Sequence, residues 1–87
     1  MLDLLFLPDG WENNLYWQAQ DKKTLRRINA LIQDIQRNPF TGIGEPEPLK
    51  GNRSGWWSRR IDEVNRIVYK VEAGQIVIAQ CKTHYEE

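Results

Sequence analysis

The sequence holds one cysteine, Cys81, and one histidine, His84. A lone cysteine excludes an intramolecular disulfide and fits a reducing compartment. One cysteine and one histidine cannot supply the usual zinc sets, and no carboxylates fall at ligand spacing, so neither a metal nor a cofactor is expected. No apolar run approaches the ~18 residues of a membrane span, so no membrane association is expected. Gly42-Ile43-Gly44-Glu45 lacks the third glycine of a dinucleotide loop, and no phosphate-loop lysine motif is present. No repeat, low-complexity tract or linker divides the 87 residues, which read as one domain, 1–87. Residues 1–7 carry no basic region and are too short for a secretory signal, so a cytoplasmic location is expected.

An excess of one charge is also lacking, with 12 basic and 12 acidic residues. The balance hides an asymmetry. Residues 1–21 are acidic, whereas residues 22–70 carry eleven basic groups against five acidic ones. A basic middle can meet a polyanion, although on charge alone a solvated surface of mixed charges is the favoured reading.

Residues 2–6 read as a short strand. Pro8 and Asp9 open a first helix, with Asp9 and Glu12 spaced as a capping box and Trp11 and Leu15 on one face. That helix should end near Gln20, with Asp21 as N-cap of a second. There Leu25, Ile28, Leu31, Ile32 and Ile35 form a helical stripe, and Asn38-Pro39 stops it. Residues 39–55, rich in glycine and proline, read as a long loop. Strands are expected over 56–61, 66–72 and 75–83, joined by turns at 62–65 and 73–74. The last strand, apolar on both faces through Ile76-Val77-Ile78-Ala79, should lie inside the sheet. The order β-α-α-β-β-β predicts an α+β domain: a short N-terminal strand and a two-helix hairpin packed on a mostly antiparallel sheet.

Cys81 reads as core rather than nucleophile. Lys22/Arg26 and Lys23/Arg27 are like-charge i,i+4 pairs that cost an isolated helix ~0.2–0.5 kcal/mol each, which an external anion or nearby acids such as Asp34 or Glu12 would offset. Arg59 and Arg60 point to opposite faces of their strand. Arg60 and Arg66 fall on adjacent strands and repel unless an anion or carboxylate lies between them; phosphate fits a guanidinium fork. Glu47, stiffened by Pro46 and Pro48, reads on spacing alone as an exposed loop acid. His84 carries the only side chain with an ordinary pKa near neutrality. Together Glu47, Lys50, Arg60, Arg66, His84 and Tyr85 suit one reaction. RNA is cut when its own 2′-hydroxyl attacks the adjacent phosphate, which needs a base, cations for the added charge, and an acid for the leaving 5′-oxygen. A binding protein would use the same arginines for RNA or operator DNA and leave Glu47 and His84 idle.

Asn-Pro-Phe-x-Gly-x-Gly-x-Pro-Glu-Pro-Leu-Lys (38–50), Ser-Gly-Trp-Trp-Ser-Arg-Arg-Ile (54–61), Asn-Arg-Ile-Val-Tyr (65–69) and Cys-Lys-Thr-His-Tyr (81–85) resemble the YoeB/Txe toxins, as does Leu-Tyr-Trp-Gln (15–18). The likeness covers almost the whole chain. It implies a RelE-like, microbial-ribonuclease-like fold and an mRNA endonuclease acting in the A site of the 70S ribosome. It also implies a homodimer neutralised by a YefM-like antitoxin, with operator DNA reached only through the antitoxin. By the same resemblance Glu47 is the general base, His84 the general acid, Arg66 the phosphate stabiliser and Tyr85 a substrate-placing residue. Lys50 and Arg60 line the site; Arg59, Lys22, Lys23, Arg26 and Arg27 are further RNA-contact candidates. Trp11, Tyr16, Trp17 and Phe40 are candidates for antitoxin contact. The chain departs from the family pattern in Glu86 and Glu87, which follow the His-Tyr pair and place two negative charges beside a phosphate site.

Overall fold

The computed structural model describes residues 1–83. Strand β1 (Asp3–Phe6) leads into helices α1 (Pro8–Gln20) and α2 (Lys22–Arg37). Strands β2 (Glu47–Pro48), β3 (Trp57–Arg60), β4 (Arg66–Glu72) and β5 (Gln75–Gln80) follow, with a 3-10 turn at Gly51–Arg53. The five strands form one sheet in the order β1-β5-β4-β3-β2. Only β1 and β5 run parallel; the other pairs are antiparallel. The α+β expectation therefore holds, with a fifth strand added. That strand, β2, lies within the expected loop as a two-residue edge, where Pro48 removes no ladder donor that the sheet needs.

The α2 stripe forms as its spacing predicts. Ile28, Leu31, Ile32 and Ile35 are buried, and the Asp21 side chain accepts hydrogen bonds from the amides of Lys23 and Thr24. These four side chains join Trp17 of α1 and Ile67, Tyr69, Ile76, Ile78 and Cys81 in one core, so both helices cover the same face of the sheet.

Helix α1 begins differently from the capping-box expectation. Its N-cap is Leu7, with no side-chain cap, and Pro8 occupies the first turn. The Leu7 amide donates to the carbonyl of Ile78, 2.9 Å away. The strand ladder thus runs straight into the helix, and Asp9 falls inside it. The buried face of α1 is Gly10, Asn14 and Trp17, which leaves Trp11 and Leu15 together on the outer face.

Gly10 is there because α1 lies hard against β5. A Cβ at this position would stand 2.7 Å from the Ile78 carbonyl oxygen. Gly10→Ala should lower the urea midpoint, because the clash with backbone costs ~1–3 kcal/mol and exceeds the ~1 kcal/mol of helix propensity gained. A raised midpoint would show that the helix can lift off the sheet without loss.

Strand β5 ends at Gln80, three residues before its expected end. A bulge separates the pairs Tyr69↔Ile78 and Val68↔Gln80, and the Cys81 amide turns to the side chain of Asn13.

Candidate active site

Residues directly opposite on antiparallel strands share a face of the sheet. Ile67 and Tyr69 face the helices, so Arg66 and Val68 face away. Register carries that helix-free face across the sheet, where Ser58 and Val68 are buried and Glu47 and Arg60 are exposed. Glu47 sits opposite Ser58, Ser58 opposite Val68, and Arg60 opposite Arg66. Glu47 and Arg60 are diagonal neighbours, a relation that sets residues about 7–8 Å apart, within reach of long side chains. Three of the expected site residues therefore meet at one corner, although Glu47 and Arg66 are 19 positions apart in sequence. Lys50 is exposed just beyond β2 and precedes the 3-10 turn.

The two facing arginines are held in different ways. Arg60 Nη1 lies 3.1 Å from the Glu45 carboxylate, with both side chains largely in solvent. Such a pair contributes no more than about 1 kcal/mol and exchanges readily for another anion. Arg66 Nη1 donates to the carbonyls of Asp62 (2.7 Å) and Asn65 (3.0 Å). Neither contact is a carboxylate, so the guanidinium is oriented without being neutralised by it. Glu45, held with its backbone at φ +53° beside Gly44, offsets the charge of Arg60 alone.

The chain returns to this corner at its end. The Arg66 amide donates to the carbonyl of Thr83 at 3.1 Å, and the Thr83 amide donates to Asn65 Oδ1 at 2.6 Å. On the other side α1 grips the same segment. Trp17 Nε1 donates to the Cys81 carbonyl at 2.8 Å, and Lys82 Nζ stands 3.9 Å over the Tyr16 ring. His84, Tyr85, Glu86 and Glu87 lie outside the described residues. Cys81 is fully buried, and burial pushes its thiol up to about 12, so it is no thiolate nucleophile at neutral pH.

The expectation for Arg59 is corrected. Its side chain is fully buried on the helix side of β3. The guanidinium pairs with Asp34 of α2 and donates to the carbonyls of Asn38, Thr41 and Ile43, while Nε donates to the Tyr69 hydroxyl. A group so enclosed cannot contact RNA. It instead fastens the loop that leads from α2 to β2. The Gly44 carbonyl at the end of that loop accepts from the Arg60 amide at 2.7 Å.

The helix cations divide. Lys22, Lys23, Arg26 and Arg27 are all exposed. Arg27 reaches the Arg60 carbonyl at 3.5 Å and shares a groove of about 360 Å³ with Gly44, Glu45, Arg60 and the 61–63 turn. Lys23 and Arg27 line a second groove of about 440 Å³ with Asp21, Ile61 and Asp62. The acids that line these grooves are Asp21, Glu45, Asp62 and Glu63; Asp34 is occupied by Arg59. Lys22 and Arg26 border neither groove. Of the four aromatic contact candidates, Trp17 is core, whereas Trp11, Tyr16 and Phe40 are exposed.

Asp62 and Asn65 fall in the expected 62–65 turn, and Asn65 also opens the Asn-Arg-Ile-Val-Tyr motif, but neither is among the expected site residues. Asp62 accepts from the amides of Val64 and Asn65 and from the Asn65 side chain. Burial raises its carboxyl, but these bonds and the Arg66 charge outweigh it and hold the pKa below the usual range. The Asp-x-x-Asn spacing was the available signal for this closed turn. Among the described residues, no three of His, Cys, Asp or Glu gather as a metal site.

Residues 6–85 match the family model described as the YoeB-like toxin of bacterial type II toxin–antitoxin systems. The chain is 52% identical over 82 residues to a toxin YoeB of Streptomyces coelicolor, covering 94% of this chain and 98% of that one. A YoeB dimer from Staphylococcus aureus superposes with a TM-score of 0.90 at 46% identity, covering 97% of this chain and 98% of that chain. The toxin chain of a YoeB–YefM complex from the same organism gives 0.89 at 44% identity, over 98% and 99% of the two chains.

Proposed function

The chain belongs to the YoeB-like toxins of bacterial type II toxin–antitoxin systems, and from that premise we propose that it is a ribosome-dependent mRNA endonuclease. The observation that carries the reading is the corner where Glu47, Arg60 and Arg66 share the helix-free face. Glu47 takes the proton of the 2′-hydroxyl, which then attacks the adjacent phosphorus. Arg66 and Arg60 stabilise the charge that builds on the phosphate oxygens, with Arg60 trading its exposed Glu45 partner for phosphate. His84 protonates the leaving 5′-oxygen, and Tyr85 places the substrate. Lys50 adds positive charge at the rim. Lys22, Lys23, Arg26 and Arg27 contact the RNA of the ribosome.

An open corner on a small domain does little to hold a flexible RNA in line for attack. The ribosome supplies that alignment by fixing the codon in the A site, which converts a costly encounter into an oriented one. A YefM-like antitoxin neutralises the toxin, operator DNA is reached only through that antitoxin, and the toxin pairs as a homodimer. These partners are proposed from the complex and dimer of the Staphylococcus aureus relatives. No helix among the described residues is long and apolar enough to cross a membrane.

Attack by the 2′-hydroxyl leaves a distinctive product. The downstream fragment should carry a 5′-hydroxyl, and the upstream one a 2′,3′-cyclic or 3′-phosphate. Polynucleotide kinase should therefore label the downstream fragment directly, without prior phosphatase treatment. A downstream fragment that labels only after dephosphorylation would mean that water, not the 2′-hydroxyl, is the nucleophile.

A further inference from the structure

The geometry points to Asn65 as the positioning residue of this corner: it ties the segment that leads into His84 to the turn that orients Arg66. The inference rests on the nuclease reading above and adds a residue to it. Asn65 stands immediately before Arg66, at the end of the turn between β3 and β4. Its Nδ2 donates to both Asp62 carboxylate oxygens, at 3.2 and 3.0 Å. Its Oδ1 then faces the other way and accepts from the Thr83 amide at 2.6 Å. The amide cannot be flipped without setting oxygen against carboxylate and NH₂ against N–H. Asp62 is itself fixed by the backbone amides of Val64 and Asn65, at 2.8 and 2.7 Å. One side chain thus reads the position of a closed turn and passes it to the end of the described chain.

Two further observations agree. The turn that Asn65 closes is the one whose carbonyls, Asp62 and Asn65, hold the Arg66 guanidinium. Thr83 meanwhile has φ +61°, a left-handed conformation that a β-branched residue adopts only when its surroundings impose it. Its amide and its carbonyl are both taken, by Asn65 Oδ1 and by the Arg66 amide. Those two bonds hold the residue between the turn and the start of β4. Without the first, the Thr83 amide loses its side-chain tie to the turn, and the backbone at residue 83 is no longer fixed relative to Arg66.

The test is a charge-preserving swap. Asn65→Asp keeps an oxygen for the Thr83 amide but opposes the Asp62 carboxylate. Asp62→Asn with Asn65→Asp restores an amide facing a carboxylate, reversed in direction, with the net charge of the wild type. Single-turnover cleavage of mRNA on programmed ribosomes gives the rate at saturation and the half-saturating toxin concentration separately. Asn65→Asp should lower the saturated rate on the order of 10²-fold, as expected for a displaced reacting group, with half-saturation little changed. The swap should recover most of that loss. Urea midpoints are measured alongside, and should Asn65→Asp not fold, Asn65→Ala takes its place. A purely structural role would lower the midpoint and the amount of active protein while leaving the saturated rate per folded molecule intact. That result, or a swap that restores the midpoint but not the rate, would overturn the inference. Wild type that cuts while Asn65→Asp cuts equally fast defeats the inference alone. Wild type that cuts nothing defeats the nuclease reading and the inference with it.

Discussion

Glu47→Gln should reduce A-site cleavage by about 10²–10⁴-fold, the usual share of a general base, and should leave folding and ribosome binding unchanged. The substitution is isosteric and removes only the capacity to take a proton. Its site is forgiving: Glu47 is exposed on a two-residue edge strand, and Pro46 and Pro48 on either side hold its backbone whichever side chain it carries. A stability effect beyond about 0.5 kcal/mol is therefore not expected. If the carboxylate served only to balance Arg60, its loss would leave cleavage intact and tighten the binding of RNA. Glu45 already fills that balancing role, so Glu45→Gln is the matched control and should retain cleavage.

The largest effect on stability should come from Arg59→Met. Removing one partner of a buried ion pair costs about 3–5 kcal/mol, because the other groups stay behind unsatisfied. Here they are the Asp34 carboxylate and the carbonyls of Asn38, Thr41 and Ile43. A domain of this size has a total stability of roughly 4–13 kcal/mol, so the urea midpoint should fall by a large fraction. The ties left on the loop would be the Tyr69 hydroxyl donating to the Pro39 carbonyl at 2.6 Å, the Ile43 amide donating to Asp34 at 3.1 Å and the Arg60 amide donating to the Gly44 carbonyl at 2.7 Å. Acid should reveal the same pair. The hydrogen bond from Arg59 holds the Asp34 carboxyl below the usual range, against the opposing effect of burial. A depressed folded pKa means that the stabilisation is complete above the ordinary aspartate value, ~3.9, and is lost as pH falls through the lower folded value. Asp34→Asn should therefore flatten the acid limb of the stability profile below about pH 4. An unaltered midpoint in Arg59→Met would mean that the loop from Asn38 to Gly44 does not depend on this guanidinium.

The parts of the molecule legible in the sequence were those where one periodicity dominates. The α2 stripe and its Asp21 cap, the full length of β4, and the facing of Arg60 and Arg66 follow from 3.6- and 2-residue spacing. Spacing failed where tertiary contacts override it. Strand β2 is two residues long and exists only because β3 offers it an edge. Helix α1 buries Gly10, Asn14 and Trp17, a face with a single large apolar residue, because close approach to β5 matters more there than side-chain volume. Arg59 and Arg60 look alike in sequence; only the loop folded over the helix side of β3 makes one a core residue and the other a surface one. Alternation separated their faces but did not say which face was covered. At the site, Glu47 was identified by family resemblance, since Glu45 and Glu63 compete with it on spacing. Asn65 was legible as a turn residue, but its bond to Thr83 spans 18 positions and has no local signature.

The most direct test of the central claim is primer extension on mRNA held in programmed ribosomes, with purified wild-type protein beside Glu47→Gln and His84→Ala. The expected result is a cut within the A-site codon by the wild type that both variants lose while still co-sedimenting with ribosomes. Wild-type protein that binds ribosomes and leaves the A-site codon whole would contradict the nuclease reading and make the chain a binding member of its family.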